Sequence, residues 1–224
     1  GVHMLPASFV GQQLDSVLGD LGADAIKTGM LGTKEIVEVT AAKIKEYGIA
    51  LVVVDPVMVS TSGHALLQPD AVETYKTDLF PLATLITPNI KEAQHLLGFE
   101  VATLEDMKKA ARELHKLGPK WVLVKGGDKH GEQEDAASAI DVLFDGQTFQ
   151  ILRAARVFDT KNVHGTGCTF ASAIASYLAK DPGQNVYKAT CDAKVFLTKL
   201  LHTSKTVTLG KGVQGPMHHA FSTC

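Results

Sequence analysis

Leu51-Val-Val-Val-Asp-Pro56 is a run of apolar, mostly β-branched residues closed by an aspartate and a proline. A continuous run without polar alternation suits a strand buried on both faces, and such strands belong to parallel sheets lying between helices. Working outward, Ala25-Ile-Lys-Thr28 and Thr84-Leu-Ile86 read as short strands and Trp121-Val-Leu-Val124 as a further buried strand. Each run stops at turn or polar residues: Gly29-Met30-Leu31-Gly32, Thr87-Pro88-Asn89 and Lys125-Gly126-Gly127. Helical spacing fills the intervals. Pro6 to Leu21 places Phe9, Val10, Leu14, Val17, Leu18 and Leu21 on one predicted face, and Thr33 caps a helix that Gly48 closes. Further helices are predicted from about Asp70 to Asp78, from Ile90 to Leu97 behind the cap Asn89, and from the Thr103/Asp106 capping box through Leu117. Thr169 to Leu178 and Val186 to His202 supply two more.

Asp145-Gly146 between Ala139–Phe144 and Thr148–Ala154 signals a hairpin, which adds an antiparallel edge. Residues 57–67 read as a Ser/Thr/Gly loop, Lys129 to Ala137 as a polar, acidic loop, and Leu209 to Gly215 as a glycine-rich tail. Alternating strands and helices with short loops predict an α/β fold, a mostly parallel sheet covered on both faces. One domain over residues 1–224 is expected.

With 45% hydrophobic and 21% charged residues in 224, a sizeable core is available, and a net charge of −2 gives no electrostatic case for nucleic acid or an anionic membrane. No apolar run approaches the roughly 18 residues of a bilayer span, and no secretory or transit pattern is read. Cys168, Cys191 and Cys224 lack CxxC spacing, which argues for a reducing, intracellular compartment (cytoplasm, or a plastid in a plant) and against a disulfide framework or structural zinc. His218-His219 reads as polar tail rather than metal site.

In an open α/β sheet, ligands sit outside the carboxyl ends of the strands. The polar residues with chemistry fall at such ends. Lys161-Asn-Val-His-Gly-Thr-Gly-Cys-Thr-Phe170 frees its backbone with glycine and then opens a helix, so unpaired N–H groups and the helix dipole converge on one point. Cys168 falls in the first turn, where a thiolate is favoured. The alternative is a glycine turn before a helix whose Cys168 is a small core residue. Asp55 could order magnesium or water, or cap the next turn. Asn89 and Glu92 could order magnesium and its waters, or form an ordinary N-cap pair. Lys125 emerges where a phosphate could approach, or is a surface lysine. Met30 could line an apolar pocket or sit in the core; His164 could contact a phosphate or have no role. Neither GxxxxGK[ST] nor GxGxxG occurs, so nucleotide use must rest on another architecture.

Taken in order, "KTGMLG", "VVVDPVM", "LITPNIKEA", "VLVKGG" and "HGTGCTFASAIA" closely resemble the hydroxymethylpyrimidine / phosphomethylpyrimidine kinases of thiamine biosynthesis, in the ribokinase-like superfamily. The ending "GKGVQGPMHHAF" resembles the same kinase domain in plant and bacterial enzymes. The resemblance implies a three-layer ribokinase-like α/β sandwich. It implies phosphorylation of 4-amino-5-hydroxymethyl-2-methylpyrimidine and then of its monophosphate, with ATP and Mg²⁺. Carried over, Gly165, Thr166 and Gly167 form the anion hole with Cys168 as base, and Lys125 lies on the phosphates. Asp55, Asn89, Glu92 and Thr160 fall near nucleotide and magnesium, Asp55 and Glu92 as metal residues. Met30 and Val57 lie against the pyrimidine, and Gly210 and Gly212 near the nucleotide base. A homodimer is implied.

The family usually opens with a strand, a "GSDS-GGAGIQ" turn, a helix and a second strand; this sequence enters at the segment that should follow. That departure would leave an unpaired sheet edge and keeps a silent binding or regulatory protein open. A pyridoxal/pyridoxine kinase on the same template is the other alternative.

Overall fold

The computed structural model describes residues 2–58, 67–127, 137–181, 183 and 185–220. Most of the predicted loops at 57–67 and 129–137, and Cys224, lie outside them. The elements run α1 (Ala7–Asp20), β1 (Ile26–Thr28), α2 (Lys34–Glu46), β2 (Val52–Val54), α3 (Pro69–Thr74), β3 (Leu85–Ile86), α4 (Ile90–Leu97), α5 (Leu104–His115), β4 (Trp121–Lys125), β5 (Ser138–Phe144), β6 (Phe149–Ala155), α6 (Thr166–Lys180) and α7 (Val186–Ser204). The six strands pair in chain order, β1 through β4 parallel, with β5 and β6 antiparallel as the hairpin signal predicted. β1 is one edge of this sheet.

Strand residues alternate between two cores. Val52, Val54, Ile86, Val122, Val124 and Val142 face helices α2 to α5, whereas Val53, Leu85, Leu123 and Leu143 face α6 and α7. Helices on both faces of a mostly parallel sheet make the three-layer architecture.

Three expectations are corrected. Asp70 to Asp78 is not one helix: α3 passes into a π-helical turn, Tyr75–Leu79, and a tighter turn, Phe80–Leu82. Tyr75, Leu79 and Phe80 are fully buried there, and packing of these large side chains overrides the regular helical register. The apolar stripe of α1 is only half covered, with Leu18 buried and Val10 and Leu14 half-buried but Phe9, Val17 and Leu21 exposed; the helix also meets α2 at Gly11, where an added Cβ would come within 3.1 Å of Val39, and through Asp15, bonded to Lys43 and Tyr47. Finally, α6 begins at Thr166 rather than Thr169. No helix among the described residues is long and apolar enough to cross a membrane.

Candidate active site

The pleat sends Lys27, Asp55 and Lys125 to the α6 face, because each stands two residues beyond one packed there, Ala25, Val53 and Leu123 respectively. At the carboxyl ends of β1, β2 and β4 they meet. Lys125 Nζ lies 2.7 Å from Asp55 Oδ1, which also accepts the Thr87 hydroxyl at 3.0 Å, and Lys27 Nζ lies 3.5 Å from Asp55 Oδ2. Asp55 is 1% exposed. Burial alone would raise its carboxyl, but the Lys125 ammonium and then Lys27 and Thr87 hold it below the usual carboxylate value. Burial alone would lower the Lys125 ammonium, but Asp55 and Glu92 hold it above its ordinary value. Both shifts favour the charged pair.

Over this pair sits the first turn of α6. Gly165 has φ 82°, a left-handed conformation that glycine adopts freely, and it offers no side chain to cap the helix. The Thr166 N–H donates to the Val163 carbonyl at 3.2 Å and the Thr169 N–H to Gly165 at 2.8 Å. Between them, the amides of Gly167 and Cys168 make no backbone hydrogen bond among the described residues. An added Cβ at Gly167 would stand 3.1 Å from Lys125 Nζ, so this glycine permits the ammonium to approach the helix start. Cys168 is exposed, which removes the reading of a small core residue. An ammonium at the positive end of a helix dipole is a like-sign contact, and an anion between the two would relieve it.

Asn89 and Glu92 form a complete capping box: Asn89 Oδ1 accepts the Glu92 N–H at 2.9 Å, and Glu92 Oε2 accepts the Asn89 N–H at 2.8 Å. The N-cap reading is thus realised, and the box stands beside Lys125, whose N–H donates to the Pro88 carbonyl at 2.9 Å. Val57 is half-buried just past Asp55, and Met30 is 36% exposed in the β1–α2 turn. Thr160 lies in the loop before α6, its hydroxyl accepting the Asn162 N–H at 3.1 Å. Gly210 and Gly212 occupy exposed bends beyond α7.

Downstream of those bends the tail returns to the loop. The His164 N–H donates to the Gly215 carbonyl at 3.2 Å and the Gly215 N–H to Lys161 at 2.8 Å; the exposed side chain of His164 contributes nothing to this bridge. His219 is not idle tail, since its Nε2 lies 2.9 Å from Thr169 Oγ1. Asn162, 1% exposed, donates to the carbonyls of Ser204 at 2.6 Å and Val207 at 2.7 Å.

Lys27, Thr87 and Asn162 were absent from the sequence-based site. For Lys27 a signal existed: a charged residue at the alternate position of a predicted buried strand, two residues before its terminal glycine. Asn162 carried none, because its partners lie over 40 residues away.

Residues 1–218 match the family described as phosphomethylpyrimidine kinase. The chain is 47% identical to the chloroplastic thiamine biosynthetic bifunctional enzyme of Arabidopsis thaliana, over 98% of this chain and 41% of that enzyme, so it spans less than half of that relative. It is 41% identical to the hydroxymethylpyrimidine/phosphomethylpyrimidine kinase of Bacillus subtilis, over 98% of this chain and 77% of that protein. Among solved structures, the ADP complex of the Bacillus subtilis pyridoxal kinase superposes with a TM-score of 0.82 at 38% identity, covering 96% of this chain and 76% of that one. The family match over residues 1–218, the shared fold and the identity over nearly its whole length place this chain in the phosphomethylpyrimidine kinase family.

Proposed function

We propose that this chain transfers the γ-phosphoryl group of ATP to the hydroxymethyl group of 4-amino-5-hydroxymethyl-2-methylpyrimidine, and then to the resulting monophosphate. The observation that carries the reading is the Lys125 ammonium set against the uncapped first turn of α6, a positive pocket made for a transferring phosphoryl group. Phosphoryl transfer needs positioning and charge neutralisation more than covalent chemistry. The Gly167 and Cys168 amides and Lys125 hold charge as it develops on the phosphoryl oxygens. The exposed Cys168 thiol stands in the same turn and, as thiolate, takes the proton of the attacking hydroxyl.

Among the described residues no group of three or more His, Cys, Asp or Glu forms a metal cage. Mg²⁺ is commonly held by one or two carboxylates together with substrate phosphates and water. Asp55 and Glu92 fit that role through water, because both oxygens of Asp55 already face lysines. Bound there, the ion would supply further charge neutralisation. Thr160, Gly210 and Gly212 complete the nucleotide side, Met30 and Val57 the acceptor side. Self-association into a homodimer belongs to the same reading and is measured by sedimentation.

The test is product formation from ATP and Mg²⁺ with the pyrimidine alcohol, its monophosphate and pyridoxal in competition, read by mass spectrometry. Sequential mono- and diphosphate formation is expected. The similarity to the pyridoxal kinase favours one second reading, pyridoxal as acceptor, and exclusive pyridoxal phosphorylation would establish it. Heat stabilisation by MgATP with no product from any acceptor would instead identify a silent binding protein.

A further inference from the structure

The sheet ends hold more positive charge than phosphate binding by Lys125 requires, and its placement is specific. Asp55 is 1% exposed, with Lys125 on Oδ1 at 2.7 Å and Lys27 facing Oδ2 at 3.5 Å. The Lys27 side chain is 15% exposed. Gly29, two residues on, makes room for its ammonium: a Cβ there would stand 3.1 Å from Lys27 Nζ.

A carboxylate this deep is strongly destabilising without a counter-charge. If Lys125 were its sole partner, every approach of that ammonium to a phosphate would strip Asp55 bare. We propose that Lys27 is a positioning residue: it keeps Asp55 neutralised from the neighbouring strand, and so lets Lys125 be shared with the phosphoryl group. Lys27 touches no reacting atom in this scheme and acts through Asp55. The inference rests on the phosphoryl-transfer reading above.

The experiment is calorimetric titration of MgATP into the full chain, as wild type, Lys27→Met and Lys27→Arg, and as Asp55→Asn with and without Lys27→Met. Lys27→Met should weaken binding about tenfold, equivalent to one decade in Kd, whereas Lys27→Arg should stay near wild type. In the Asp55→Asn background the carboxylate no longer competes for Lys125, so Lys27→Met should add less than about twofold. A purely structural lysine would instead lower the thermal midpoint and give the same loss in both backgrounds. If Lys27→Met does not fold, Lys27→Gln replaces it in every arm. Wild-type affinity in the charge-removing variant, or equal losses with and without Asp55, overturns the inference while leaving the kinase reading in place. Failure of the wild type to bind MgATP overturns that reading, and this inference with it.

Discussion

Lys194 of α7 places its Nζ 2.5 Å from Oδ2 of Asp141 on β5, and Oδ1 of the same carboxylate accepts the Gly126 N–H at 3.0 Å. One carboxylate therefore ties the last helix to the residue that follows Lys125. The side chains are 9% and 5% exposed, and breaking a pair so buried costs about 3–5 kcal/mol. Lys194→Met should lower stability in urea by about that amount, and adding Asp141→Asn should restore part of it. A loss below about 1 kcal/mol, the value of a surface pair, would count against the pair's importance.

Gly167→Ala separates function from stability. Alanine is the better helix former by about 1 kcal/mol, so the thermal midpoint should hold or rise. Its methyl would nevertheless arrive 3.1 Å from the Lys125 ammonium. We expect KM for ATP to increase about tenfold, one decade of affinity, in steady-state assays. Unchanged kinetics would remove Gly167 from the anion hole.

Cys168→Ala tests the base. Removing a general base commonly costs 10²–10⁴-fold, and that loss should fall on the first transfer, whose acceptor is an alcohol. The acceptor of the second transfer is a phosphate with a second pKa of about 6, already largely ionised at neutral pH. Single-turnover rates for the two steps separate the cases, and equal losses would argue that Cys168 does not move the proton.

The Asp55–Lys125 pair also predicts a pH window. Asp55 is depressed, so its contribution is present above its unfolded value of about 3.9 and is lost as pH falls through the lower folded value. Lys125 is raised, so its contribution is full below about 10.4 and is lost as pH rises through the folded value. The stability difference between wild type and Asp55→Asn should therefore be flat between about pH 5 and 9 and should shrink in acid. Denaturant titrations at several pH values will show it; a difference that persists in strong acid would assign the effect to packing.

Much of this site was readable from strand ends alone. Asp55, Asn89 and Lys125 each end or follow a buried run, and a parallel sheet brings such ends to one side, while the Gly165 loop showed itself by its glycines ahead of a helix. What the sequence concealed was pairing. Lys27 and Lys125 meet across Asp55 from positions nearly a hundred residues apart, and no local pattern tells that the two share one carboxylate. Helix starts illustrate the same limit. The Asn89 and Thr103 boxes carry side-chain caps and were placed correctly, whereas α6 opens on a glycine and begins three residues early. In α1, periodicity marked an apolar stripe of which Leu18 is buried while Phe9, Val17 and Leu21 stay exposed, and part of the contact with α2 falls instead to Gly11 and Asp15.

Gly215 leaves no room for a side chain: a Cβ there would fall 1.9 Å from Asn162 Oδ1. Since Gly215 also bonds Lys161 and His164, the loop that opens α6 is braced by a segment beyond α7. The rim of the site is thus spliced from two stretches far apart in the chain, and the second also seats Met217 in the core that α6 and α7 share with the sheet. Cutting the chain just before Gly215 should therefore lower the thermal midpoint, through loss of Met217 from the core, and weaken the grip on nucleotide together.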